Sequence, residues 1–371
     1  MKCYYATSFP QTSPWLMLPS DEENVVNTRC FYSLREEKVY TIKNVLQECH
    51  DAWCVGSSYG WLVIMDNNSI PHLLNPVSRR RIQLPQIWSL HCPINPDSIE
   101  QLRRNFIAKA VLSSDPSHND SFVVAIIYGA LPSKLGFCKY GEKGSRWRGL
   151  EGVHGEYCDV IFHKEKLYAL AGDGSVEVWD FKKSSTPIKT MNLHQPFLEL
   201  ESVNRITKDL SKEKYSSQTY LVESLGEILS VGRVIGNFVN HEGTAICEGD
   251  LDEYGCFCPY RTLQFYVLKL NFTANKWEKV ESLRDRALFL GGNQSMSVSV
   301  HDFPECEENS IYFTDDRWDE ITLDVGRDHD YDYGGHDVGV YNIANKVVKP
   351  IYEFRKWRVD PPPFWIVPNP W

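Results

Sequence analysis

The sequence has no apolar run approaching the roughly 20 residues that a helix needs to span a bilayer, so no membrane partner is expected. Positive charge is also scarce: 39 Lys and Arg stand against 49 Asp and Glu, for a formal net charge of −10. Backbone binding of nucleic acid needs concentrated basic residues. The one compact basic run, Arg79-Arg80-Arg81, has the setting of a solvated turn between strands, so no nucleic-acid partner is expected. A phosphate cradle is missing as well, because Gly56, Gly60, Gly172 and Gly174 lead into no helix carrying Lys-Ser or Lys-Thr. No continuous apolar core of signal-peptide length occurs in residues 1–19, which Pro10, Pro14 and Pro19 interrupt. The 11 scattered cysteines, odd in number, therefore read as reduced, mostly buried thiols. A cytoplasmic or nuclear protein is expected; the short segment before Ser13, with one basic residue, makes no persuasive organelle transit peptide.

What the sequence does contain is core-forming material, 42% hydrophobic and 13% aromatic, arranged as a recurring short phrase. A strand-like run, a Gly, Asn or Asp turn and another run follow one another, often with a Trp near the end. The phrase appears at Trp53 to Ile64, at Asp159 to Trp179 and around Phe265 to Trp277. Hairpins repeated without intervening long helices predict sheets closed into a ring. The expected fold is all-β, a β-propeller of five to seven blades with loop insertions.

Individual strands follow from the pattern. Phe31 to Ile42 reads as a hairpin, and Trp61–Met65, His72–Leu74 and Arg81–Leu84 as successive strands broken by turn residues. Asp97 to Asn105 reads as a short helix or insertion. Ala108–Leu112, Phe122–Tyr128 and Leu135–Tyr140 continue the pattern, closing at Trp147. Tyr157 to Phe181 reads as a strand pair around Gly172-Asp173-Gly174, and Thr186 to Ser217 as a crossing followed by an exposed loop. Gln218–Ser224 with Glu227–Ile235, Leu263–Leu270, Asn275–Val280 and four short runs between Ala287 and Ile343 complete the set. Trp15–Leu18 reads as an edge strand and Pro350–Phe354 as the closing one. Trp61, Trp147, Trp179 and Trp277 are assigned to blade packing.

No catalytic, cofactor or metal assignment survives inspection. Asp328-His329-Asp330-Tyr331-Asp332-Tyr333 alternates carboxylates, but a calcium loop wants Gly sixth and Glu twelfth where this run has Tyr333 and Gly339. Cys256-Phe257-Cys258 lacks metal spacing, and the adjacent Cys49-His50-Asp51 would point to opposite faces of a strand. Trp318, Tyr331 and Tyr333 beside Asp328, Asp330 and Asp332 instead suggest a protein-binding site, in which aromatic anchors sit next to charge that attracts a basic partner.

Cys54-Val55-Gly56-Ser57-Ser58-Tyr59-Gly60-Trp61-Leu62, Leu73-Leu74-Asn75-Pro76 and Ile82-Gln83-Leu84-Pro85 resemble the plant family of F-box proteins with a KIB-type β-propeller. Ser13 to Pro19, Asp159 to Ala169, Asn309 to Asp316 and Asp337 to Asn342 extend the likeness in family order. The resemblance implies a lead-in over residues 1–12, a propeller over 13–356 and a Pro/Trp-rich tail over 357–371. It further implies a noncatalytic protein-binding module, with a protein kinase or another regulatory protein as partner. A second implication is a substrate receptor that docks on Skp1 in a cullin ubiquitin ligase. No 40 to 50 residues of helical periodicity precede the propeller, a departure that weakens this reading. A carbohydrate-binding or hydrolytic propeller is a third alternative, because aromatic and acidic loops can build sugar sites.

Overall fold

A computed structural model describes residues 3–5, 13–19, 28–43, 45, 52–90, 99–129, 132–182, 186–193, 214–251, 259–274, 276–316, 333–354 and 358–367. The described strands form six sheets of four or five strands, the six blades of a propeller. Blade I combines Trp15–Leu18, Thr28–Ser33 and Lys38–Lys43 with Cys3–Tyr5 on one edge and Phe364–Ile366 on the other. Blade II spans Trp53 to Gln83, blade III Ile107 to Leu150, blade IV Tyr157 to Leu193 and blade V Tyr215 to Val280. Blade VI, Arg286 to Pro350, departs from a simple meander because Arg286–Leu290 pairs in parallel with Ser310–Phe313.

Blades packed on both faces require strands that are apolar on both faces, rather than alternating. Trp61–Met65 is buried at every position, and Phe122–Tyr128 at all but Val123. The buried residues fall into six main clusters, one for each pair of neighbouring blades. That one-to-one correspondence closes the ring. Trp61 and Trp147 pack between blades II and III, Trp179 between III and IV and Trp277 between IV and V, as the packing assignment required.

Tight turns set the strand registers. Tyr59-Gly60, Lys164-Glu165 and Leu225-Gly226 each join the first two strands of a blade, with both residues at positive φ. That is the geometry whose twist matches antiparallel strands. The Phe31 to Ile42 hairpin and the helix, observed at Ile99–Asn105, are as expected. Tyr157 to Phe181 holds three strands rather than two, and Ile188–Leu193, within the supposed crossing, is the fourth strand of blade IV.

Closure differs from expectation at both ends of the chain. Trp15–Leu18 is an interior strand between Thr28–Ser33 and Phe364–Ile366, buried at all four positions. The closing strand is Phe364–Ile366, in the segment expected as a tail, with Trp15 opposite Ile366 and Met17 opposite Phe364. Pro350 instead ends the outer strand Val347–Pro350, whose residues are largely exposed. The physical reason is apolar cover: Trp365 is fully buried, its ring 5.0 Å from Phe289 and 5.9 Å from Tyr312 of blade VI. Cys3–Tyr5, in the expected irregular lead-in, pairs in parallel with Val39–Thr41.

Because Trp365 joins blades I and VI, Trp365→Ala is expected to lower unfolding free energy by about 3–5 kcal/mol. The half-exposed Ile188, on the edge of blade IV, should cost about 0.5 kcal/mol or less on the same change. Urea denaturation of both variants reads the contrast.

Candidate functional site

The first strands of blades III, IV and V begin at one end of the ring axis. Lys109, Cys158 and Gln218, near those starts, line an axial pocket of about 490 Å³ together with Gly291, Gly292 and Asp316 of blade VI. Long connections leave from this same end: 44–52 between blades I and II, 194–214 between IV and V, 237–260 within V and 314–338 within VI. The two-residue turns described above lie at the other end. One face of the ring therefore carries the long connections and the other the tight turns, and binding residues are disproportionately found on long connections positioned by a scaffold.

Two buried cations organise the axis. Lys109, within the apolar strand Ile107–Leu112, places its Nζ 2.5 Å from Asp159 Oδ1 and 3.3 Å from the Gly291 carbonyl. Asp159 is fully buried and also accepts the Val160 and Leu221 N–H groups. The segment carrying Gly291 continues across the axis, where Gln294 donates its N–H to the Ser57 carbonyl and accepts the Ser58 hydroxyl. Inner strands of blades II to V and a segment of blade VI are thus tied together by polar groups.

Arg233 is the second cation. It has no solvent exposure, and its guanidinium reaches Thr262 Oγ1 at 2.7 Å, the Thr314 carbonyl at 3.0 Å and Asp337 Oδ2 at 2.9 Å. Asp316 Oδ1 lies 3.4 Å away and accepts the Tyr220 hydroxyl, while its other oxygen accepts Gln218 Nε2. Asp315 accepts the Tyr260 hydroxyl and the Asp337 N–H. One arginine therefore holds both stems of the 314–338 connection, in the fork geometry suited to carboxylates. Burial pushes the Asp159 and Asp316 carboxyls above their usual range, opposed by Lys109 and Arg233 respectively.

That connection contains the predicted aromatic and acidic site. Tyr333 lies on its second stem, half-buried, with its ring 5.5 Å from Tyr260 and 6.2 Å from His336. Trp318, Asp328, Asp330, Tyr331 and Asp332 lie outside the described residues, as do Cys49-His50-Asp51 and Cys256-Phe257-Cys258. Among the described residues, no group of three or more His, Cys, Asp or Glu side chains is placed to hold a metal, and no helix is long and apolar enough to cross a membrane. Cys30, Cys54, Cys138 and Cys306 are buried free thiols, the last three pushed up to about 12 by burial. Sequence reasoning missed Lys109, Asp159, Arg233 and Asp337. The available signal was a charge inside an apolar strand, as in Val231-Gly232-Arg233-Val234-Ile235.

Removing the charge of Arg233 strands carboxylates away from water, so Arg233→Met should cost about 3–5 kcal/mol in a denaturation experiment. His72 and His336 are both held below the usual histidine range, chiefly by burial. The unfolded chain takes up those protons near pH 6.5, so their contribution is full above that range and is lost as pH falls through it. The raised Asp159 and Asp316 act with the opposite sign, which makes a difference measurement necessary. Between pH 7.5 and 5.5, His336→Gln should lose less stability than the parent chain.

Comparison with known proteins places this geometry in a family. Over 354 residues the chain is 26% identical to the Arabidopsis thaliana F-box/kelch-repeat protein KIB1, covering 94% of this chain and 74% of the relative. The A. thaliana F-box protein KIB2 is 25% identical, covering 92% and 70%, and F-box protein SKIP23 is 23% identical, covering 85% and 76%. Residues 31–342, nearly the whole ring, match the family model described as the KIB1-4 beta-propeller. The chain belongs to the KIB1-4 β-propeller family of plant F-box proteins.

Proposed function

We propose that this chain is a noncatalytic protein-binding propeller whose partner docks on the loop-bearing face. The observation that carries this reading is the clustering of long connections around an axial pocket, with both stems of the 314–338 connection held by buried Arg233. Trp318, Tyr331 and Tyr333 serve as aromatic anchors, and Asp328, Asp330 and Asp332 orient a basic surface of the partner. The partner is a protein kinase or another regulatory protein, met in the cytoplasm or nucleus. The likeness to F-box proteins supports a second reading, a substrate receptor of a Skp1–cullin ubiquitin ligase.

Affinity capture from plant extract with the full chain, read by mass spectrometry and paired with purified Skp1, separates the two. A kinase or other regulatory protein recovered without Skp1 supports the adaptor-free module. Recovery of Skp1 and cullin supports the receptor. Failure to enrich any specific protein contradicts both.

A further inference from the structure

A second pocket, of about 570 Å³, lies away from the axis in the seam between blades V and VI. Arg261 and Leu263, at the start of the third strand of blade V, border it on one side, and Val348 of the outer strand of blade VI on the other. Asp337 and Val338, where the 314–338 connection re-enters the fold, border it as well. The pocket therefore stands beside a stem of that connection, at the loop-bearing end. Its wall is largely apolar and partly open: Leu263, Val348, Tyr352 and Phe354 are half-buried. Val348 packs against the cluster between blades V and VI, and Tyr352 and Phe354 against the one between VI and I. The Tyr352 and Phe354 rings meet edge to face at 4.9 Å.

One acceptor interrupts that wall. Asp337 Oδ2 takes three donors, the Arg233 guanidinium at 2.9 Å, the Thr262 N–H at 2.7 Å and the Thr262 hydroxyl at 2.6 Å. Asp337 Oδ1 accepts no hydrogen bond from any described residue. It is not sealed off either, because the side chain borders the pocket and keeps 5% exposure. A carboxylate oxygen can only accept, and leaving it unmatched when a ligand excludes water is costly. The remaining charges on the wall, Arg261 and Glu353, have opposite signs, so they select for no net charge.

We propose that this pocket receives an aromatic side chain carrying a hydrogen-bond donor, a tyrosine or tryptophan of the docked protein; the choice of a protein as its source rests on the function proposed above. The ring lies against Tyr352 and Phe354, and its O–H or N–H donates to Asp337 Oδ1. Such side chains combine an apolar body with one polar tip, which matches an apolar wall holding one open acceptor. A phenylalanine would cover Oδ1 without pairing it, and a carboxylate would be repelled by it. Tyrosine and tryptophan are also the residues that most often anchor interfaces in pockets of this kind.

The test is a ligand-observed NMR titration of the full-length chain with Gly-Tyr-Gly, Gly-Trp-Gly and Gly-Phe-Gly peptides blocked at both termini. The tyrosine or tryptophan peptide is expected to bind at least fivefold tighter than the phenylalanine peptide. Asp337→Asn leaves an oxygen for the three existing donors and turns an N–H toward the pocket, so it should erase the preference for tryptophan, whose indole cannot accept. Should that variant fail to fold, Phe354→Ala trims a half-buried wall and should weaken the preferred peptide at least threefold. Equal binding of the three peptides overturns the proposal, and so does a Phe354→Ala chain that binds as the parent does. Either result contradicts the pocket even if affinity capture recovers a partner. A clear preference for the donor-bearing peptides supports the pocket, and capture that then fails contradicts only the protein-binding function.

Discussion

A ring of sheets is stable only if its last strand returns to its first, since otherwise two blades expose unpaired edges and apolar faces. In this chain the return is made by Phe364–Ile366 beside Trp15–Leu18, across almost the full length of the sequence. The pairing is short, and Trp365 compensates by packing into the aromatic cluster of blade VI. Every other interface depends on it, because six interblade clusters form a closed set only when blade I meets both neighbours. With the ring closed, the inner strands converge and polar groups are forced together on the axis.

The axis explains why charged residues occur inside strands that are otherwise apolar. Lys109 links blade III to Asp159 of blade IV and to the segment of blade VI that crosses the centre. Arg233 joins blade V to the two stems of a connection in blade VI. Replacing such groups by apolar ones would leave their partners stranded, so each network is held as a unit. The consequence for function is positional: a connection 25 residues long leaves and re-enters the fold at fixed points beside a pocket.

Much of this architecture was legible in the residues. Trp61–Met65, Phe122–Tyr128 and Glu227–Gly236 announce themselves as apolar runs ended by Gly, Asn or Asp turns. Blade number was not legible, because the long connections of blades IV to VI obscure the period. The Lys164-Glu165 turn carries none of the Gly or Asn that positive φ favours, so its type was hidden even though its strands were clear. Phe364–Ile366 was missed because three prolines precede it, a composition that reads as a tail. Asp159 and Leu221, or Arg233 and Asp337, are brought together by ring closure across 62 and 104 positions. No local pattern marks such pairs. The aromatic and acidic cluster was recognisable as a group, and its single described member, Tyr333, stands at the stem of the connection on the loop-bearing face.

The central claim is that recognition belongs to one face of the ring. Its most direct test is quantitative affinity capture with two full-length variants whose substitutions lie at opposite ends of the axis. Tyr333→Ala alters the loop-bearing face, and Leu225→Asn alters the 70% exposed tip of a two-residue turn on the other. The account predicts that Tyr333→Ala depletes the specific partners while Leu225→Asn retains them. Depletion by Leu225→Asn with full retention by Tyr333→Ala would contradict it.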